Sequence, residues 1–230
     1  DSNTSLVAAA NTVNCEIVGI STIGTSLPPE ISSLITKYST SQPDLNSKFR
    51  QTGVFHHIET TGPPCYARPR RLPADKLKAA KEEFEYMLQM GICRPSSSPW
   101  ASPLHLVRKK CGDWRPCGDF RRLNAQTVPD RYPVPNLQDC TSNLHGCTVF
   151  SKIDLAKAFL QIPVHPSDVP KTAVTTPFGS FEFLMMPYGL RNASQTFQRF
   201  VDSISRDLPF VFCYIDDWLI SSKSREEHMQ

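Results

Sequence analysis

Apolar positions between residues 74 and 91 recur at helical spacing. Leu77, Ala80, Phe84, Met87 and Leu88 fall on one face, behind Ala74-Asp75 and ahead of Gly91, which can close a helix in the left-handed conformation. After SSSPWASP (96–103), LHLVRKK reads as a strand ending in cations, followed by a turn at Gly112 and a returning segment from Trp114. A second helix fits Asn136 to Leu144, capped by Asn136 and stopped by Gly146. TVFSKID (148–154) reads as a strand that ends on Asp154 and runs into a short helical turn, and KTAVTTP and FEFLMMP flank Phe178-Gly179-Ser180 as a hairpin. A third helix starts near Asn192, with Phe197, Val201, Ile204 and Leu208 on one stripe. FVFCYI and WLIS, apolar on both faces, read as two buried strands around Asp216-Asp217. This alternation predicts an α+β fold with one antiparallel sheet.

The N-terminal quarter reads differently. Residues 1–53 are rich in Ser, Thr, Asn and small residues, with one helix-like stretch from Ile31 to Tyr38, and predict a largely unstructured linker. Residues 54–73 predict an extended segment whose prolines forbid regular helix. The expected divisions are therefore 1–53, 54–147 and 148–230.

Composition narrows the class. In 230 residues, 40% hydrophobic and 20% charged positions predict a chain that mostly folds around a sizeable core. The absence of a long apolar run or a signal-peptide pattern argues against membrane and secreted classes. Eight cysteines are scattered without CxxC spacing and read as reduced, mostly buried thiols. The six histidines do not supply the paired, closely spaced ligands of a structural zinc site, and none is predicted. The net charge of +3 is uneven: three basic against five acidic residues in 1–66, thirteen against six in 67–122, and nine against eleven in 123–230. A basic block beside an acidic-leaning one suggests a polyanion-binding surface next to a site that uses carboxylates.

The chemistry concentrates in Tyr214-Ile215-Asp216-Asp217. Asp is an ordinary turn residue, and Asp-Asp alone would be read as a solvated turn. Between two apolar strands, however, adjacent carboxylates repel and resist desolvation unless a cation holds them. Asp154 ends another strand, and if the strands are neighbours it meets that turn. Three carboxylates without His or Cys favour Mg²⁺ over zinc and suit two-metal phosphoryl or nucleotidyl transfer. Arg108, Lys109 and Lys110 on one side of the Gly112 turn, and Arg115 on the other, suit a triphosphate, although an exposed turn would carry such residues anyway.

Taken together, SSSPWASPLHLVRKKCGDWRPCGDFRRLN, VPDRYPVPNLQD, VFSKIDLAKAF, PFGSFEFLMMPYGLRNASQTFQRF and CYIDDWLISS resemble a gypsy-type LTR-retrotransposon reverse transcriptase, over roughly residues 54–230. The resemblance implies a right-hand polymerase fold, with fingers in 54–147 and a ferredoxin-like palm with interspersed fingers elements in 148–230. It implies that the thumb is absent, so that synthesis by this piece alone would be weak and distributive. It implies an RNA-directed DNA polymerase that adds dNTPs to a primer 3′-OH on an RNA or DNA template, using two Mg²⁺ ions, with Mn²⁺ as a substitute. Asp154, Asp216 and Asp217 would be the catalytic, metal-binding triad, with the backbone of Leu155 as a further ligand. Lys109 and Arg115 would grip the triphosphate, Phe159 next to Ala158 would be the sugar gate, and Tyr188 would line the nucleotide pocket. Arg108, Lys110, Arg121, Arg122 and Arg191 would contact nucleic acid. Cys111 and Ser194 depart from the common pattern of Asp and Pro at those places. Partners would be template-primer, dNTPs and the protease, RNase H and integrase of a pol polyprotein, within a cytoplasmic retroelement particle or the nucleus. The rival expectation is a catalytically silent remnant that only binds nucleic acid.

Overall fold

The computed structural model describes residues 14–16, 19–21, 33, 53–108, 112–136, 144–155 and 157–229. The helix-like stretch 31–38, apart from Ser33, lies outside these residues, as do positions 137–143 of the helix expected over 136–144. Two short strands, β1 (Asn14–Glu16) and β2 (Gly19–Ser21), pair antiparallel within the N-terminal segment.

Helix α1 runs from Ala74 to Gln89 and buries Ala80, Phe84 and Met87, as its periodicity requires. Pro73 precedes it, suited to a position whose N–H has no intrahelical partner, and Gly91 follows at φ +66°, with its N–H on the Leu88 carbonyl. Strands β3 (Cys93–Pro95), β4 (Ser102–Arg108) and β5 (Trp114–Gly118) follow, then the short helix α2 (Arg121–Gln126). Strand β6 (Val149–Asp154) leads into two 3₁₀ turns, Ala158–Gln161 and Val169–Thr172, and then into β7 (Val174–Thr176) and β8 (Gly179–Phe183). Helix α3 (Ala193–Ser205), strands β9 (Val211–Tyr214) and β10 (Asp217–Ser222) and the short α4 (Arg225–His228) complete the described chain.

The chain divides into two compact units whose segments interleave. One contains residues 1–52, 132–158 and 197–230; the other contains 53–131 and 159–196. The first holds an antiparallel sheet in the order β6-β10-β9. The second holds a five-stranded sheet in the order β3-β8-β7-β4-β5. The single antiparallel sheet expected from the sequence is thus two sheets, and the larger is mixed, because β4 and β7 run parallel with Ser102 opposite Val174. Parallel neighbours need a long crossover, here everything between residues 108 and 174, and short-range patterning does not register it.

In the second unit Phe84 packs against Phe178, Phe181 and Phe183 at ring-centroid distances of 5.7, 4.9 and 6.3 Å, so α1 covers the β7–β8 hairpin. In the first unit Phe197 and Val201 are fully buried. The stripe stops there: α3 ends at Ser205, Ile204 is 48% exposed, and Leu208 lies beyond the helix. Strands β9 and β10 are mostly half-buried rather than buried on both faces. Cys93 and Cys213 are buried free thiols, pushed by desolvation up to about 12 and about 11 respectively. Among the described residues no helix is long and apolar enough to cross a membrane.

Gly118 packs against the fully buried Phe120, where a Cβ would overlap the ring and approach Val174 Cγ2 to 2.9 Å. Gly118→Ala is expected to lower unfolding free energy by about 1–3 kcal/mol, measured by urea denaturation.

Candidate active site

Strand pairing in the first unit decides where the carboxylates meet. Asp154 is the last residue of β6 and lies directly opposite Asp217, the first residue of β10. Asp217 is also paired with Tyr214 of β9, so Ile215 and Asp216 form a two-residue turn. The backbone N–H of Leu155 donates to the Asp216 carbonyl at 3.1 Å, joining the end of β6 to that turn. The strand-end positions inferred from sequence therefore bring all three acids to one end of one sheet. Their oxygens do not converge within 4.8 Å of one another, and Asp217 is engaged by Lys152 Nζ at 2.7 Å.

The electrostatics follow from that crowding. Burial, then the charges of Asp217 and Asp154, push the Asp216 carboxyl above its ordinary value. Lys152, two residues before Asp154 and so on the same face of β6, is held above its own ordinary value chiefly by its hydrogen bond with Asp217. Lys152 was not anticipated from the sequence. Its signal is the i, i+2 spacing to Asp154 on a strand whose intervening Ile153 is the more buried residue.

Ile215 adopts φ +54°, a conformation β-branched residues avoid, at a cost of order 1–3 kcal/mol. A hydrogen-bonded relay built on a buried glutamine holds it there. Gln198 of α3, with no exposed surface, accepts a hydrogen bond from Ile215 N–H at 2.9 Å. Its amide nitrogen donates to Asp202 Oδ1 at 2.8 Å and to the Cys213 carbonyl at 3.3 Å. Asp202 in turn accepts from the Tyr132 hydroxyl at 2.6 Å, and Arg199 stacks over the Tyr132 ring, 4.5 Å from its centroid. Gln198 was missed by sequence reasoning because a polar residue inside a helix reads as solvent-facing. Its place one residue from Phe197, on the apolar stripe's edge, was the available cue.

The expected nucleotide-pocket residues of the second unit also form a group. Arg115, on β5, lies with its guanidinium carbon 5.1 Å from the centroid of the Tyr188 ring, within cation–π range. Phe159 meets the same ring edge-on, centroids 5.5 Å apart at 73°. Phe159 is half-buried, not sealed in the core, while Ala158 before it is buried. Lys109 and Lys110 lie outside the described residues. Arg108, at the end of β4 opposite Trp114, is exposed.

Arg121 and Arg122, on α2, border a groove of about 500 Å³ together with Arg70 and Asp119. Asp119 accepts from Arg70 at 2.6 Å and from Arg121 at 2.7 and 2.8 Å, and the Arg121 bonds above all hold its carboxyl well below the usual carboxylate range. Arg122 donates to the Tyr66 carbonyl at 2.7 Å. One carboxylate among three guanidiniums leaves the groove cationic, and Arg70 adds a residue the sequence reading did not single out. Arg191 is exposed, but its Nη1 donates to the carbonyls of Asn124 at 3.0 Å and Thr127 at 3.1 Å, bracing the C-terminal end of α2.

An oxygen-only acid cluster at a sheet end in one unit, and a stacked Arg–Tyr–Phe group and an arginine-rich groove in the other, are the features of a nucleotidyl-transfer polymerase. Comparison agrees: residues 107–230 match the family described as "Reverse transcriptase (RNA-dependent DNA polymerase)", and the chain belongs to it. It is 37% identical over 195 residues to the "Retrovirus-related Pol polyprotein from transposon opus" of Drosophila melanogaster, covering 81% of this chain and 19% of that protein. The polyprotein from transposon 297 of the same organism is 36% identical over 209 residues, covering 87% of this chain and 20% of that protein. The "Transposon Tf2-3 polyprotein" of Schizosaccharomyces pombe is 38% identical over 161 residues, covering 69% and 12%. The chain thus spans at most about a fifth of these relatives, and it is a reverse transcriptase domain of the retrotransposon type, in line with the gypsy-type resemblance. The foamy viral protease-reverse transcriptase solved with double-stranded DNA superposes with a TM-score of 0.72 at 21% identity, over 89% of this chain and 37% of that one. The same enzyme with an RNA/DNA hybrid gives 0.72 at 20%, over 89% and 28%. These likenesses establish the fingers-and-palm fold.

Two outcomes follow from the site. Gln198→Leu keeps the volume but strands the Ile215 N–H and one Asp202 oxygen, and is expected to cost about 2–4 kcal/mol in urea unfolding. Because the Asp216 carboxyl sits above its unfolded value, its contribution to stability is full at pH below the ordinary carboxylate range and is lost as pH rises through the raised value. Asp216→Asn is therefore expected to raise the melting temperature near pH 7.5 in chelator, with the difference vanishing near pH 3.

Proposed function

We propose that this chain carries out template-directed transfer of deoxynucleotides from dNTPs to a primer 3′-hydroxyl, on RNA or DNA. The observation that carries this reading is the pairing of Asp154 with Asp217 beside a turn that presents Asp216. This oxygen-only donor set, exposed at Asp154, half-buried at Asp216 and Asp217 and short of countercharge, fits hard divalent cations, and Asp154, Asp216, Asp217 and the Leu155 carbonyl would hold two Mg²⁺ or Mn²⁺ ions. Such ions, when bound, lower the pKa of an attacking hydroxyl and neutralise a departing pyrophosphate.

The chain's own residues do the rest. Lys152 neutralises Asp217 until a stronger cation claims it. Arg115, oriented by the Tyr188 ring, offers a guanidinium to the triphosphate, with Lys109 as a second cation. The Phe159 ring lies under the sugar and leaves no room for a 2′-hydroxyl. Arg121 and Arg122, joined by Arg70 and by Arg108, Lys110 and Arg191, hold the template-primer through its phosphates. In the full polyprotein, protease, RNase H and integrase would be its companions, in a cytoplasmic particle or the nucleus.

Primer extension on a homopolymer template tests the reading. The wild-type chain should extend the primer, and Asp216→Asn should lose at least about 100-fold in rate while binding template-primer nearly as well. Retained synthesis in the variant removes the triad assignment, and binding without synthesis by the wild-type chain marks a silent remnant. Phe159→Val should raise ribonucleotide incorporation more than it lowers deoxynucleotide use. Unchanged rNTP/dNTP selectivity in single-nucleotide incorporation would make Phe159 a packing residue.

A further inference from the structure

A second cluster of ligand-type side chains, none of them given a role above, lies in the other unit. His57, His165 and Asp168 each present one donor atom, and the three atoms lie within 4.8 Å of one another. We propose that these residues form a binding site for a zinc-class divalent transition metal, which would tie the extended N-terminal segment to the loop before β7.

The backbone holds the site ready. His56 N–H donates to the Pro163 carbonyl at 2.8 Å and His165 N–H to the His56 carbonyl at 2.9 Å, so the segments around His57 and His165 run side by side. The two imidazoles consequently stack, centroids 4.5 Å apart and planes 29° apart. Asp168 is fixed more firmly still. Its Oδ2 accepts from Ile58 N–H at 3.0 Å and lies 3.7 Å from His57 Nδ1, and its Oδ1 pairs with Lys171 Nζ at 2.8 Å. Each carboxylate oxygen keeps a second lone pair. His165 Nδ1 lies 2.8 Å from Ser167 Oγ; when it donates there, the ring's lone pair falls on Nε2, as ligating histidines are usually oriented.

The donor set names the class of metal. Two imidazoles and one carboxylate suit Zn²⁺, Co²⁺ or Ni²⁺, whereas Mg²⁺ and Ca²⁺ prefer oxygen ligands throughout. Three protein ligands leave a fourth position for water. The His57 side chain is 63% exposed, which gives an ion a path in. Lys171 beside Oδ1 offsets part of the carboxylate charge, so the site should bind more weakly than a closed thiolate zinc site. The ligands lie on segments far apart in sequence, the Ile58–Asp168 bond spanning 110 residues, and linear spacing could not reveal them.

The test uses the whole chain, freed of metal by chelation and titrated with Co²⁺ while its visible absorption is followed, with Zn²⁺ as competitor. One equivalent of Co²⁺ should give a band of low-coordinate type that Zn²⁺ removes. His165→Gln and His57→Gln should each weaken it ~10–100-fold, with melting temperatures in chelator near wild type. Asp216→Asn should keep the band. His57 is exposed, so its variant tests the site even if His165→Gln loosens the loop. No band in the wild-type chain, a band indifferent to the histidine variants, or one lost only with Asp216→Asn would each overturn the proposal.

Discussion

The turn between β9 and β10 places two adjacent carboxylates on a backbone that includes an isoleucine at positive φ. Both features oppose folding. Burial, and then repulsion from Asp217 and Asp154, raise the proton affinity of Asp216, and the turn conformation itself is costly. What makes the arrangement tolerable is a single buried amide, Gln198, which ties the Ile215 N–H to helix α3 and is itself fixed through Asp202 and Tyr132. The carboxylates can be held in a high-energy arrangement because a rigid polar relay beneath them is fully satisfied. The site is thus destabilised where a metal would repay the cost and reinforced where it would not.

Much of this was legible in the sequence because it rests on short-range pattern. The α1 stripe, the Gly91 stop, the β7–β8 hairpin and the strand ending on Asp154 all follow from periodicity and turn chemistry. Asp216 and Asp217 could be singled out because charges between apolar strands are conspicuous. Three things were not legible. The parallel pairing of β4 with β7 depends on a crossover that no local window contains. Gln198 carries its role through burial, which a lone polar residue on a helix does not announce. Lys152 and Arg70 gain their meaning from partners, Asp217 and Asp119, that only folding supplies.

Charge is handled differently in the two units. Around the acids of the first, one lysine stands against three carboxylates. Around Asp119 in the second, one carboxylate stands among three guanidiniums. Each cluster keeps a minority charge that orders the side chains without cancelling the local sign. A surface meant to meet phosphates or cations needs that residual field, and fully matched pairs would remove it.

The interleaving of the two units has a consequence for how the protein is made. The sheet of the first unit pairs Val149–Asp154 with residues up to Ser222, yet the whole stretch 159–196 between them belongs to the other unit. A chain emerging from the ribosome therefore cannot complete the first unit until the second has been fully synthesised inside it. Because the second unit's own pairings, β4 with β7 and β3 with β8, are closed by Phe183, it can fold first and shorten the loop that the first must close. The order of synthesis thus sets an order of assembly in which the arginine-rich groove and the Arg–Tyr–Phe group take shape before the acids are drawn together.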